Sequence, residues 1–223
     1  MYILAIIILA SYILGSLNAS LVMSKIKDLD IRKKGSGNAG ATNAIRIFGL
    51  QYGLLVFFFD AFKAFLAAFL TMRILEGMTS SLIFSHEIYL YFSAISCVLG
   101  HCYPIWFSFK GGKGAATGLG SMIYIEPMLV IPSLIIFLIV LAITRYVSFS
   151  TITAFLALSV ASIFFNRDFI DYIFLSFTFT LFPFNRTSFV VFPMIIRFAD
   201  LLDSSLLKAF IPFNLRLALS HMS

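Results

Sequence analysis

From Met1 to Val22 the chain carries no charged residue. A helix needs about 20 predominantly apolar residues to cross the hydrocarbon core of a bilayer, where no water is left to satisfy backbone N–H and C=O groups. This run meets that requirement, and further apolar runs follow it along the chain. A cleavable leader would open on basic residues and close on small residues at a cut site. The uncharged start therefore leads us to expect a permanent first span, about Met1 to Met23. With 61% of residues hydrophobic and only 12% charged, too little polar surface remains for a water-soluble domain.

Charge falls between the apolar runs. Lys25, Asp28, Asp30, Arg32, Lys33 and Lys34 follow the first span, and the tendency of Lys and Arg to stay inside predicts a cytoplasmic loop with the N-terminus outside. A second span from about Tyr52 to Thr71, a polar outer loop from Arg73 to Glu87 and a third span from about Ile88 to Gly100 lead to a second cytoplasmic loop with Lys110 and Lys113. Two shorter apolar segments, Ala115 to Ile125 and Met128 to Thr144, are separated by Glu126-Pro127, where the missing backbone donor favours a reversal. Arg145 marks a third cytoplasmic loop, and spans of about Ser150 to Phe165 and Phe169 to Phe184 complete the reading.

The expected fold is all-α, a polytopic membrane helical bundle of about seven transmembrane helices. Residues 1–185 read as one membrane domain. Residues 186–223 read as a tail in which Leu201, Leu202, Leu206 and Phe210 could line the apolar face of an interfacial helix. The net charge of +6 comes from clusters beside the spans, which suits membrane lipid headgroups and argues against nucleic acid as a partner. Cys97 and Cys102 are too few to build a metal site or a disulfide framework and read as small packing residues. Asp60 and Lys63 lie inside the second span at helical i, i+3 spacing, where unpaired charge is costly, so they are expected to pair with each other or with the loops.

Two Gly-rich loops carry the chemistry. In the first, Gly35, Gly37 and Gly40 match a dinucleotide-binding spacing, yet the strand that such a motif requires is replaced by a basic loop after a membrane span. Glycines permit positive φ, so successive N–H groups can converge on an anion, and Ser36 and Asn38 add side-chain donors. A helix expected from about Asn38 would aim its positive end the same way. Arg46 shares a helical face with Thr42 and Asn43, from which its planar fork could hold a phosphate. The second loop interleaves Lys110 and Lys113 with Gly111, Gly112 and Gly114 and opens a helix at Ala115. It is not a nucleotide P-loop, because Gly114 stands where that motif needs Ser or Thr for magnesium. Tyr103 and Trp106 suit an interfacial aromatic belt.

Taken with Thr144-Arg145-Tyr146-Val147-Ser148-Phe149-Ser150, the runs GSGNAGATNAIRIFG and GHCYPIWFSFKGGKGAATGLG resemble the PlsY family of acyl-phosphate:glycerol-3-phosphate acyltransferases over about Gly15 to Phe155. The resemblance implies a seven-span protein of the bacterial inner membrane with its active site facing the cytoplasm. It also implies an acyl phosphate donor, glycerol 3-phosphate as acceptor, lysophosphatidic acid as product, and no metal, coenzyme A or other cofactor. A soluble enzyme that produces the acyl phosphate is a candidate partner. By position, Ser36, Arg46 and Lys110 would be catalytic. Gly35, Gly37, Asn38, Gly40, Thr42, Asn43, Gly111, Gly112, Lys113, Gly114 and Ser148 would bind substrate. The His-to-Asp signature of thioester-dependent acyltransferases has no counterpart after His101, which reads as structural.

After Phe184 the sequence departs from the PlsY pattern. It keeps Asn185-Arg186 but lacks the histidine and the closing Gly-x-Glu that the family uses near its last span. This departure keeps an inactive relative open as an alternative. A membrane transporter of an anionic metabolite is the other, although transporters place their sites near the midplane rather than in loops on one face.

Overall fold

The computed structural model describes residues 2–78 and 82–164. Among these there are eight α-helices and no strand. In chain order they are α1 (Tyr2–Ser16), α2 (Ala19–Ile26), α3 (Ala41–Phe48), α4 (Leu50–Glu76), α5 (His86–Cys102), α6 (Ala115–Ile125), α7 (Pro127–Thr144) and α8 (Val147–Phe164). Four stretches are long and apolar enough to cross a membrane: Tyr2–Ile26, Leu50–Glu76, His86–Phe107 and Pro127–Thr144. Ala115–Ile125 and Val147–Leu158 are shorter apolar helices. The expected last span, Phe169 to Phe184, and the expected tail from residue 186 lie outside the described residues. Large apolar side chains such as Phe58, Phe62, Ile131, Leu138 and Ile143 stand exposed along these helices, as a lipid-facing surface requires.

Helix α1 packs on α5, α4 on α6, and α7 on α8. In the α1–α5 crossing, Gly15 lies against the Cys97 backbone and Gly100 against the backbone of Tyr12 and Ser16, so a methyl group at either position would push the helices apart. Small residues and shared hydroxyls replace the hydrophobic effect between helices in lipid. Ser11 and Ser93 accordingly meet at 2.8 Å between their buried Oγ atoms.

The first span is two helices rather than one. Helix α1 stops at Ser16, and Asn18, fully buried, caps α2 by accepting from the Leu21 N–H at 3.2 Å. Asn competes with the backbone for hydrogen bonds and favours caps over helix interiors, so Gly15-Ser16-Leu17-Asn18 interrupts the helix inside an apolar run. An interruption at this depth leaves carbonyls that the protein itself must satisfy.

Other boundaries also shift. Helix α4 continues through Arg73, expected in a loop, and an exposed Arg73–Glu76 ion pair at 2.9 Å lies in its last turn. Helix α3 begins at Ala41 rather than near Asn38, since Gly37 has φ +71° and Gly40 is extended. Helix α8 begins at Val147 rather than Ser150. Its hydroxyls fold back on the preceding turn, Ser150 Oγ donating to Tyr146 O at 2.9 Å and Thr151 Oγ1 to Val147 O at 2.8 Å.

Candidate active site

The first Gly-rich loop is built around two side chains. Asp30 opens a 3₁₀ turn, Ile31–Lys33, by accepting from the Arg32 N–H at 3.0 Å. It also takes the Arg32 guanidinium as a fork, Nε to Oδ1 at 2.9 Å and Nη2 to Oδ2 at 3.1 Å. The charged hydrogen bond from Arg32 holds the Asp30 carboxyl below its ordinary range despite partial burial. A depressed carboxylate contributes order above its unfolded value, about 3.9, and loses it as pH falls through the folded value. Activity changes between pH 5 and 8 are therefore expected to be the same in Asp30→Asn as in the parent, which pH–rate profiles of the two will check.

The second organiser is Asn43 of α3, which is fully buried. Its Nδ2 donates to Ile31 O at 3.1 Å and Lys34 O at 3.0 Å, while Oδ1 accepts from the Ser36 N–H at 2.9 Å. Gly35, at φ +60°, has no room for a Cβ beside Asn43 Oδ1. Thr42 and Arg46 occupy the exposed side of the same helix, and the Arg46 stem runs beside Gly35. Ser36 is exposed, and Asn38 is half-buried with Oδ1 unpartnered among the described residues.

The second loop leaves α5 through a 3₁₀ turn at Ile105–Phe107 and then turns sharply, with Ser108 at φ +57° and Phe109 at φ +56°. Non-glycine residues held at positive φ cost about 1–3 kcal/mol each. Lys110 follows, exposed, and Lys113 is half-buried, so desolvation pulls its ammonium below the ordinary lysine value. Gly111 N–H donates to Cys102 O at 2.9 Å and Gly112 N–H to His101 O at 3.1 Å.

Part of each loop's backbone is bonded within the protein itself. The N–H groups of Ser36, Gly37, Gly111 and Gly112 are committed to the protein's own acceptors, Gly37 to Lys34 O at 3.0 Å. The glycines shape the loops and permit close approach. Arg46, Lys110 and Lys113 add side-chain positive charge beside the loops.

The two loops are joined directly. Arg32, held by Asp30, donates through Nη1 to Phe107 O at 3.2 Å and Lys110 O at 3.3 Å. Gly112 is buried where a Cβ would run into the Ala39 carbonyl and the His101 ring. Beneath them Ile31, Ala39, Ala44 and Val56 form a buried apolar floor against which Phe107 packs. Gly112→Ala is expected to cost about 1–3 kcal/mol through overpacking and to lower the rate by separating the loops. Thermal unfolding in detergent read beside the acyl-transfer rate will check both effects.

Arg32 and Asp30 were legible only as orientation charges, yet they connect the loops. Ser148 lies exposed in the first turn of α8, after Arg145 at φ +57°. Among the described residues no hydrogen bond ties Ser148 to either Gly-rich loop. Asp60 and Lys63 are buried and pair at 2.8 Å.

An all-helical membrane protein with two Gly-rich, cationic loops clasped at one end defines a class that handles anionic substrates beside lipid. A sequence profile of the family described as glycerol-3-phosphate acyltransferase matches residues 5–199. The chain is 40% identical over 190 residues to the glycerol-3-phosphate acyltransferase of Ureaplasma urealyticum, covering 78% of this chain and 75% of that one. Its fold is similar to crystal structures of PlsY, an integral membrane glycerol 3-phosphate acyltransferase. For the glycerol 3-phosphate form the TM-score is 0.74 at 30% identity, covering 87% of this chain and 93% of that one. For the lysophosphatidic acid form it is 0.69 at 32% identity, covering 80% and 85%. The chain belongs to the glycerol-3-phosphate acyltransferase family.

Proposed function

We propose that the protein transfers a fatty acyl group from an acyl phosphate to the 1-hydroxyl of glycerol 3-phosphate, releasing lysophosphatidic acid and inorganic phosphate on the cytoplasmic side of a bacterial inner membrane. The observation that carries this reading is the clasp of Arg32 on Phe107 O and Lys110 O, which gathers both cationic loops at one end of the bundle. Lys25, Lys27, Lys33 and Lys34 beside that end favour the cytoplasmic side.

An acyl phosphate is an activated mixed anhydride, so positioning and charge stabilisation can supply most of the rate without a protein nucleophile. The glycerol hydroxyl oxygen attacks the acyl carbon, the bond from that carbon to the phosphate oxygen breaks, and inorganic phosphate leaves. The hydroxyl proton passes to a substrate phosphate, whose second pKa is near 6. Arg46 and Lys110 clamp the two phosphates and Ser36 donates a hydrogen bond between them. Lys113, Thr42, Asn38 and Ser148 line the substrate path, and the loop glycines together with Asn43 hold its shape.

Reconstitution in nanodiscs with acyl phosphate and radiolabelled glycerol 3-phosphate is expected to yield labelled lysophosphatidic acid with stoichiometric phosphate. Uptake of label into proteoliposomes without product would replace this reading with transport, and neither outcome would mark an inactive relative.

A further inference from the structure

One buried group stands apart from the reaction as drawn. Lys63 sits in the middle of α4, 2% exposed, with Asp60 at 1% and His101 at 3%. Its ammonium has three N–H donors, and each has an acceptor: Asp60 Oδ1 at 2.8 Å, Leu17 O at 2.8 Å and His101 Nδ1 at 3.1 Å. An ammonium cannot accept, so with Lys63 charged this contact calls for a lone pair on Nδ1 and, in a neutral imidazole, for the proton on Nε2. Asp60 Oδ1 also stands 3.5 Å from Nδ1, but an imidazolium there would press a second positive charge against Lys63.

Each arm of this cluster ends under one of the Gly-rich loops. Leu17 O is the carbonyl freed by the break between α1 and α2, and the adjacent Asn18 donates through Nδ2 to Ala39 O at 3.3 Å, under the first loop. His101 accepts the Gly112 N–H on its carbonyl at 3.1 Å and sets its Nε2 edge against Gly112, under the second. Ala39 O and Nε2 are the two atoms that a Gly112 Cβ would strike, so the arms meet again at the seam of the loops.

We propose that Lys63, with Asp60 as its counter-charge, is a positioning residue that sets the spacing of the two Gly-rich loops through Leu17–Asn18–Ala39 on one side and through an Nε2–H His101 and Gly112 on the other. The inference rests on the reading of these loops as the substrate-phosphate site, but its first test does not depend on turnover.

Protein labelled with ¹⁵N-histidine, with His86→Gln and His221→Gln leaving His101 as the one labelled ring, is to be studied by NMR in detergent. A single Nε2–H tautomer, unchanged from pH 6 to pH 8, is expected; an Nδ1–H or imidazolium form overturns the proposal. The variant Asp60→Asn/Lys63→Met removes both partners together, which leaves no lone buried charge. It is expected to unfold at a somewhat lower temperature because Leu17 O loses its donor, to lose the single tautomer, and to drop at least tenfold in kcat with a smaller change in KM. Parental turnover in that variant rejects the positioning role. If it does not fold, the tautomer of the unsubstituted cluster still decides. Absence of product from the parent protein would count against the proposed function and leave the tautomer result standing.

Discussion

Replacing Lys110 or Arg46 by Ala is expected to lower kcat/KM for acyl transfer by on the order of 10²- to 10³-fold, the loss typical of deleting one preorganised charge-stabilising donor. Both side chains are exposed and have no ion-pair partner among the described residues, so neither substitution breaks an ion pair. The thermal transition should stay within about 0.5 kcal/mol of the parent, as for ordinary surface changes. Lys110→Arg retains charge and should recover part of the rate, whereas Arg46→Lys loses the planar fork and should recover less. Initial rates at saturating and subsaturating glycerol 3-phosphate separate a binding loss from a transition-state loss. Near-normal rates in both alanine variants would sink the assignment of these cations.

The apolar runs, the helix break at Glu126-Pro127 and the cationic Gly-rich loops were all legible in the sequence, because each is a local property of consecutive residues. The break at Leu17–Asn18 was not, since an average over a span does not register a two-residue interruption between Ser16 and Ala19. Asn18 itself was the available signal: an amide inside an uncharged run must find partners, and it finds Leu21 N–H and Ala39 O. Helix α3 starts later than Asn38 because the backbone is still extended at Gly40, a conformation that residue types alone do not reveal.

What joins the parts is long-range. Arg32 reaches Phe107 and Lys110, Asn18 reaches Ala39, and Lys63 reaches both Leu17 and His101. No period or spacing encodes such pairs. Their chemistry nonetheless follows from one rule: irregular backbone near a membrane must have its carbonyls satisfied, and here cationic and amide side chains do it. Four N–H groups of the Gly-rich loops, those of Ser36, Gly37, Gly111 and Gly112, are drawn into the same accounting.

Arg32→Ala is therefore expected to reduce kcat/KM by about 10- to 100-fold although Arg32 need not touch substrate, since misplacing a binding group by about 1 Å can cost that much. Without the guanidinium, Phe107 O and Lys110 O lose their donor and Asp30 loses its partner. The left-handed Ser108–Phe109 turn, which costs free energy to hold, is then free to relax and shift Lys110. Lysine at position 32 keeps the charge but cannot bind the carboxylate and reach two carbonyls at once, so it should restore only a minor share. Glycine tolerates positive φ, so Ser108→Gly in the Arg32→Ala background should recover activity by making the native turn less costly. The same glycine in the parent should change the rate little. An Arg32→Ala protein with full activity, or a Ser108→Gly addition that lowers the rate further, would show that the clasp does not position Lys110.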